Sequence, residues 1–365
     1  MRVGIIGLPN VGKSTIFNAL TSLDIPASNY PFCTIEPNVG IVSVPDSRLA
    51  TINQFIITKK IISTSIEFVD IAGLVKGASS GEGLGNQFLG HIRNIDALVH
   101  VIRGFDNKDI SHVEGGIDPI RDIQIIETEL QLKDIESLTK KIQKLEKLIK
   151  SNDKHAIYES DLIRKAIDEL NQGNLLYNYF SDESDQYMLK TSFLLTDKPM
   201  LYLCNIDEQE LQEGQTGEYS SLVKNYAEQK QINYITLCGN IEMEISKIKD
   251  EQDKNDFLSL YNLEAPGLYQ LIKSAYKALD LITFFTAGPE EIRAWTIPRG
   301  TLAPQAAGTI HTDFERGFIK AEIYNIADLL QHHSEEALKE HGKIRQEGKT
   351  YVVQDGDIIY FKFNV

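Results

Sequence analysis

An eight-residue loop near the start of the chain constrains it most. Gly7-Leu8-Pro9-Asn10-Val11-Gly12-Lys13-Ser14 has the spacing G-x-x-x-x-G-K-[ST]. It follows Arg2–Ile6, an apolar run that reads as a buried strand, and precedes Ser14–Leu20, which reads as a helix. That context is what the spacing needs in order to hold phosphate. Glycines let backbone N–H groups converge on an anion with no Cβ in the way, and the helix N-terminus adds partial positive charge. Lys13 then reaches the β/γ-phosphates and Ser14 offers a hydroxyl to Mg²⁺.

A magnesium site needs further oxygens, and two segments offer them. Asp70 closes a strand-like run, Ile66–Ile71, and stands in the D-x-x-G arrangement with Gly73. There it can hold the hydration shell of the metal, while the Gly73 N–H approaches the γ-phosphate. Thr34, in Tyr30-Pro31-Phe32-Cys33-Thr34, is the candidate threonine that ligates Mg²⁺ only while a γ-phosphate is bound. Three motifs in this order predict a Ras-like P-loop NTPase core.

The base-reading segment departs from that of GTPases. Their Asn-Lys-x-Asp motif uses its aspartate to accept the guanine N1 and N2 protons. Here the strand Met200–Cys204 runs into Asn205-Ile206-Asp207-Glu208. Ile206 replaces the lysine, and the longer Glu208 does not meet guanine in the same fork. Adenine has no N2 donors for a carboxylate to accept. Asn205 can still bond the purine N7 or the group at C6, with Ile206 packing on the ring. A site built to bond one base rejects the other through unpaired buried polar groups. Adenine is the expected base; the alternative is that the acids serve only the loop or cap a helix.

The hydrolytic apparatus is irregular as well. Leu74 stands where many Ras-like enzymes carry a water-orienting glutamine. The Gly-rich stretch Lys76–Gly85 reads as a switch loop. His112, in a loop after the strand Ala97–Ile102, is the candidate that orients water; otherwise it is a solvated loop residue. His91 and Arg93 read as helix-face residues. Asn10 either ligates a monovalent cation such as K⁺ beside the phosphates or braces the loop backbone.

Periodicity then divides the chain. Apolar runs separated by helices predict a parallel sheet covered on both faces. Ile135, Leu138, Ile142, Leu145 and Ile149 step by three and four residues, and Ile163, Ala166, Ile167 and Leu170 form a second stripe after Ser151-Asn152-Asp153. This predicts a helical hairpin inserted at 123–198, between NTPase parts 1–122 and 199–280. Residues 281–365 read as a small mixed module: Thr283–Thr286 as a strand, Ile323–His332 as a helical pattern, and Ile359, Phe361, Phe363 and Val365 as an alternating strand. A net charge of −15 argues against a general nucleic-acid binder, so DNA is not an expected partner. Neither is a membrane, since no apolar run approaches the ~20 residues of a bilayer span. Cys33, Cys204 and Cys238 are widely spaced and read as reduced thiols, as in a cytoplasmic protein.

Gly7–Thr15 together with Y-P-F-C-T-I-E-P-N (30–38), D-I-A-G-L-V-K-G-A-S (70–79) and N-I-D-E (205–208) resembles the Obg-like ATPase, or YchF, family. H-V-E-G-G-I-D-P-I-R-D (112–122) and the run from Thr296 to Ile319 resemble it too, so the likeness covers essentially the whole chain. It implies an ATPase that prefers ATP to GTP, a coiled-coil insert, a C-terminal TGS module of β-grasp fold, and association with ribosomes, with tRNA as a further candidate partner. It also maps the ATP phosphates to Asn10, Val11, Gly12, Lys13, Ser14 and Thr15, magnesium to Ser14 and Thr34, the base to Asn205 and Ile206, and the catalytic-loop histidine to His112. Cys238-Gly239-Asn240 departs from the Ser-Ala-like turn usual near the base. Six lysines between Leu138 and Lys154 face only Glu146 and Asp153, which suits either an RNA-phosphate footprint or the solvated side of a coiled coil. Two alternatives stay open: a non-catalytic ATP sensor that binds the ribosome, and a GTPase with a degenerate base motif.

Overall fold

The computed structural model describes residues 1–23, 38–71, 92–107, 116–177, 179–180 and 182–364. They form two compact units. One contains Met1–Leu23, residues 38–40 and Glu67–Leu271; the other contains Ile41–Ile66 and residues 272–364.

The first unit is built on a sheet in the order β2 (Val39–Ser43), β4 (Ser65–Asp70), β1 (Arg2–Ile6), β5 (Ala97–Arg103), β6 (Met200–Asn205) and β7 (Asn233–Leu237). β1 runs parallel to β4 and β5, β5 to β6, and β6 to β7. Every residue of β5 and β6 is buried, as continuous apolar strands covered on both faces must be. With the strands parallel, the loops after β1, β5, β6 and β7 leave the same edge of the sheet, where open α/β sheets bind ligands.

The predicted hairpin is present. A 32-residue helix, Pro119–Lys150, is capped by Asp118, which accepts the Arg121 N–H at 3.0 Å. It turns at Asn152, with φ of 61°, into the helix Lys154–Asn171, whose cap Asp153 accepts the Ala156 N–H at 2.9 Å. Leu138, Ile135, Ile142 and Leu145 meet Leu162, Ile163, Ala166 and Leu170. Ile149 is only half-buried, so the seam fades before the turn. There is no helix break at 123: Ile123, Ile126 and Leu130 are buried on the same continuous helix, which packs against β5. Asp134 fixes the returning chain by accepting the Leu195 N–H at 3.0 Å, the Thr196 N–H at 2.8 Å and the Thr196 hydroxyl at 2.7 Å.

The second unit has a sheet in the order β11 (Arg345–Glu347), β10 (Phe318–Asn325), β12 (Asp357–Phe363), β8 (Leu281–Ala287), β9 (Ile292–Pro298) and β3 (Ile61–Ile62). β8 and β9 form an antiparallel hairpin, and β12 lies parallel to β8 between that hairpin and β10. This is the β-grasp arrangement. One face packs on the helix Ala303–Ile310 through Phe284, Ile297, Ala306 and Phe361. The other is covered by the helix Arg48–Phe55, whose Leu49 and Ile52 meet Phe285, Ala294 and Ile358. The stretch between β2 and β4, expected within the first part of the NTPase domain, therefore packs in this unit through the helix Arg48–Phe55 and β3. Two-sided burial also explains why Ile358 and Ile359 are both buried where simple alternation had been expected. The expected helical pattern at Ile323–His332 resolves into a strand and a helix: Ile323 belongs to β10, and the helix starts at Ile326 after Asn325, which caps the Asp328 N–H at 2.7 Å.

Candidate functional site: a phosphate loop and its base wall

β1 ends at Ile6 and the loop turns through Gly7, Asn10 with φ of 64° and Gly12 with φ of 92°, before the helix Lys13–Ser22 begins. A Cβ on Gly12 would collide with the Asn205 amide as well as strain the left-handed backbone. Lys13 pairs with Asp70 at the end of β4, and the Ser14 hydroxyl lies 3.5 Å from the other Asp70 carboxylate oxygen. The ammonium, hydroxyl and carboxylate predicted for this site thus meet at one point. A hydroxyl beside a carboxylate is a hard-oxygen donor set of the kind Mg²⁺ takes.

Asn205 does more than the sequence reading gave it. It is 6% exposed. Its amide nitrogen donates to the Val11 carbonyl at 3.0 Å, and its amide oxygen accepts the Gly239 N–H at 2.8 Å. One side chain therefore braces the phosphate loop against the end of β6 and the helix Gly239–Ile245. Ile206 is buried, its N–H donating to the Leu237 carbonyl at 3.0 Å. Asp207 caps the next helix through the Glu210 N–H at 2.8 Å, and Glu208 is the exposed first residue of that helix.

These loops enclose a cleft of about 980 Å³, lined by Leu8–Asn10, Gly12–Thr15, Phe105–Asn107, Asn205–Gln209, Cys238 and Asn240. Phe105 was missed by sequence reasoning, and its support lies in Arg103. That side chain ends β5, one residue beyond the predicted strand, and is 1% exposed. Its guanidinium donates to the Phe105 and Asn107 carbonyls, each at 3.1 Å, and lies 4.7 Å from the centre of the Phe105 ring. The only available signal was a charged residue directly after an apolar strand. Burial pushes the Cys238 thiol upward, which keeps it in the thiol form beside the cleft.

Behind the sheet, burial pushes His100 down to about 3, so its ring is neutral. Its neighbour Tyr202 donates to Glu127, which also accepts the Tyr226 hydroxyl at 3.1 Å and is itself shifted upward by burial. Val11 is buried with the loop. Thr34, Gly73, Leu74, His91 and His112 lie outside the described residues, as does Cys33.

Comparison with known proteins covers the whole chain. Residues 2–155 match a family profile described as a 50S ribosome-binding GTPase, and 281–364 match a YchF-GTPase C-terminal profile described as a protein of unknown function. The chain is 47% identical over 365 residues to the ribosome-binding ATPase YchF of Bacillus subtilis, covering 100% of both chains. It is 48% identical over 364 residues to the protein of that name from Haemophilus ducreyi, covering 100% of this chain and 99% of the other. Among solved structures, the Schizosaccharomyces pombe YchF GTPase aligns with a TM-score of 0.90 at 36% identity, over 99% of this chain and 97% of that one.

Proposed function

Because the chain belongs to the YchF family, we propose that it is a Mg²⁺-dependent ATPase, hydrolysing ATP to ADP and phosphate in preference to GTP, and a nucleotide-controlled switch that associates with the ribosome in the cytoplasm. The observation that carries the base preference is the commitment of the N-I-D-E segment. Asp207 caps a helix, Glu208 opens it exposed, and Ile206 brings an apolar side chain to the cleft. Guanine would leave its N1 and N2 protons without the carboxylate fork they require. Asn205 acts mainly as the brace that holds Val11 and Gly239, and its remaining amide hydrogen and lone pair are what it can offer a purine.

Asn10–Thr15 surround the phosphates, with Lys13 supplying positive charge and loop N–H groups converging on the anion. The magnesium ion, when bound, neutralises phosphate charge, and Ser14 with Asp70 would hold it. Thr34 and His112 take their roles as metal ligand and water-orienting group from the family resemblance, whereas Gly73 as the γ-phosphate contact and K⁺ beside Asn10 rest on the motif spacing alone. Ribosome association follows from the relatives' names, with tRNA a further candidate partner. No helix among the described residues is long and apolar enough to cross a membrane.

The test is equilibrium binding of ATP and GTP to the purified protein with Mg²⁺, with and without K⁺, followed by ribosome co-sedimentation in each nucleotide. ATP should bind at least tenfold tighter, about 1.4 kcal/mol. Equal or GTP-favoured binding would return the protein to the GTPases.

A further inference from the structure

Two short helices of the second unit bring a pair of imidazoles together. His332 ends the helix Ile326–His332, and His341 follows the last residue of the helix Glu335–Glu340. The two rings are centred 4.6 Å apart with their planes inclined by 37°. His341 Nδ1 lies 2.8 Å from the Ala337 carbonyl oxygen, an acceptor, so Nδ1 carries a proton and Nε2 is the nitrogen left to meet an ion. His332 Nε2 is buried and has no hydrogen-bond partner among the described residues. A ring whose far nitrogen donates to a backbone carbonyl has the orientation and basicity of a metal-ligating histidine. The adjacent His333 turns away, in a left-handed conformation with φ of 65°, and stacks on Phe55 at 5.5 Å.

We infer that His332 and His341 form a two-imidazole site for a divalent transition-metal ion of the Cu²⁺ or Ni²⁺ type, with water completing the coordination shell. An ion held at about 2.0–2.1 Å by one nitrogen of each ring, with the ring centres kept 4.6 Å apart, would have the two imidazoles at roughly 90°, a cis pair in a tetragonal shell. A tetrahedral pair would hold the ring centres about 5.2 Å apart. Among the described residues no group of three or more His, Cys, Asp or Glu side chains could hold an ion, so the protein supplies two ligands. Such a site suits the ion at the top of the affinity order for nitrogen ligands, Cu²⁺. Asp328, one turn before His332, pairs with Lys343 at 3.1 Å. Bound metal would clip the ends of the two helices together.

The experiment is calorimetric titration of the full chain with Cu²⁺ and Ni²⁺ at pH 7.5, together with electron paramagnetic resonance of the copper-loaded protein. One equivalent should bind, and either His332→Gln or His341→Gln should weaken it at least tenfold. Hyperfine structure from two nitrogens should fall to that of one in each variant. His341 is exposed at a helix end, so His341→Gln provides a folded comparison even if His332→Gln disturbs packing, and circular dichroism of both variants verifies this. Full affinity retained in His341→Gln would overturn the site. Zn²⁺ binding more tightly than Cu²⁺ would overturn the cis geometry.

Discussion

Arg103 illustrates how a residue can govern the cleft without facing it. A guanidinium holds two carbonyls in a planar fork and stacks on an aromatic face at once. Arg103→Met would leave the Phe105 and Asn107 carbonyls without those donors, at a cost of about 2–4 kcal/mol of stability. The Phe105 wall should loosen with it, raising the KM for ATP five- to tenfold with a smaller change in kcat; denaturant melts and steady-state kinetics check the two effects separately. The phosphate loop was legible because its glycines and lysine must sit at fixed spacings. Asn205 was legible as a site residue but not as a brace. Its two partners, Val11 and Gly239, are a backbone carbonyl and a backbone N–H, and no side-chain pattern advertises either. Gly239 is a clue in retrospect, since a Cβ there would come within 3.3 Å of the Asn205 amide oxygen.

At the scale of elements, the hairpin was readable from its three-four spacing because each stripe has one partner. The first part of the long helix was not, since there it packs against a sheet and another helix and loses a narrow seam. The base of the hairpin carries a pH signature. Burial, with the nearby Asp134 charge, pushes Asp197 up to about 6. The folded state therefore holds the Asp197 proton more tightly than the unfolded chain does, so the ionised form is destabilising above pH 6. That penalty fades as pH falls through 6 toward 4. Asp197→Asn should stabilise the protein by about 1 kcal/mol at pH 8, a figure discounted for partial exposure, and by nearly nothing at pH 4. Urea midpoints at the two pH values measure the difference.

For the whole molecule, the two units are interleaved along the chain. The matched C-terminal profile covers 281–364, yet the folding unit around it also takes the stretch between β2 and β4, through β3 on β9, Leu49 and Ile52 under the sheet, and Arg48 bonded to Asp355 at 2.8 Å. Local patterns did not betray this allegiance, because a strand and a helix look alike whichever sheet they join. A chain cut after residue 280 should keep the phosphate loop but expose Leu49 and Ile52, binding a hydrophobic dye and aggregating where the full chain stays monodisperse. The same interleaving sets an order of events during synthesis. The helix Arg48–Phe55 leaves the ribosome more than two hundred residues before the strands β8 and β9 that cover it. At 5–20 residues per second its apolar face waits roughly 10–45 s for its partners. The nascent chain must therefore pass through a period in which half of one hydrophobic core is finished and the other half does not yet exist.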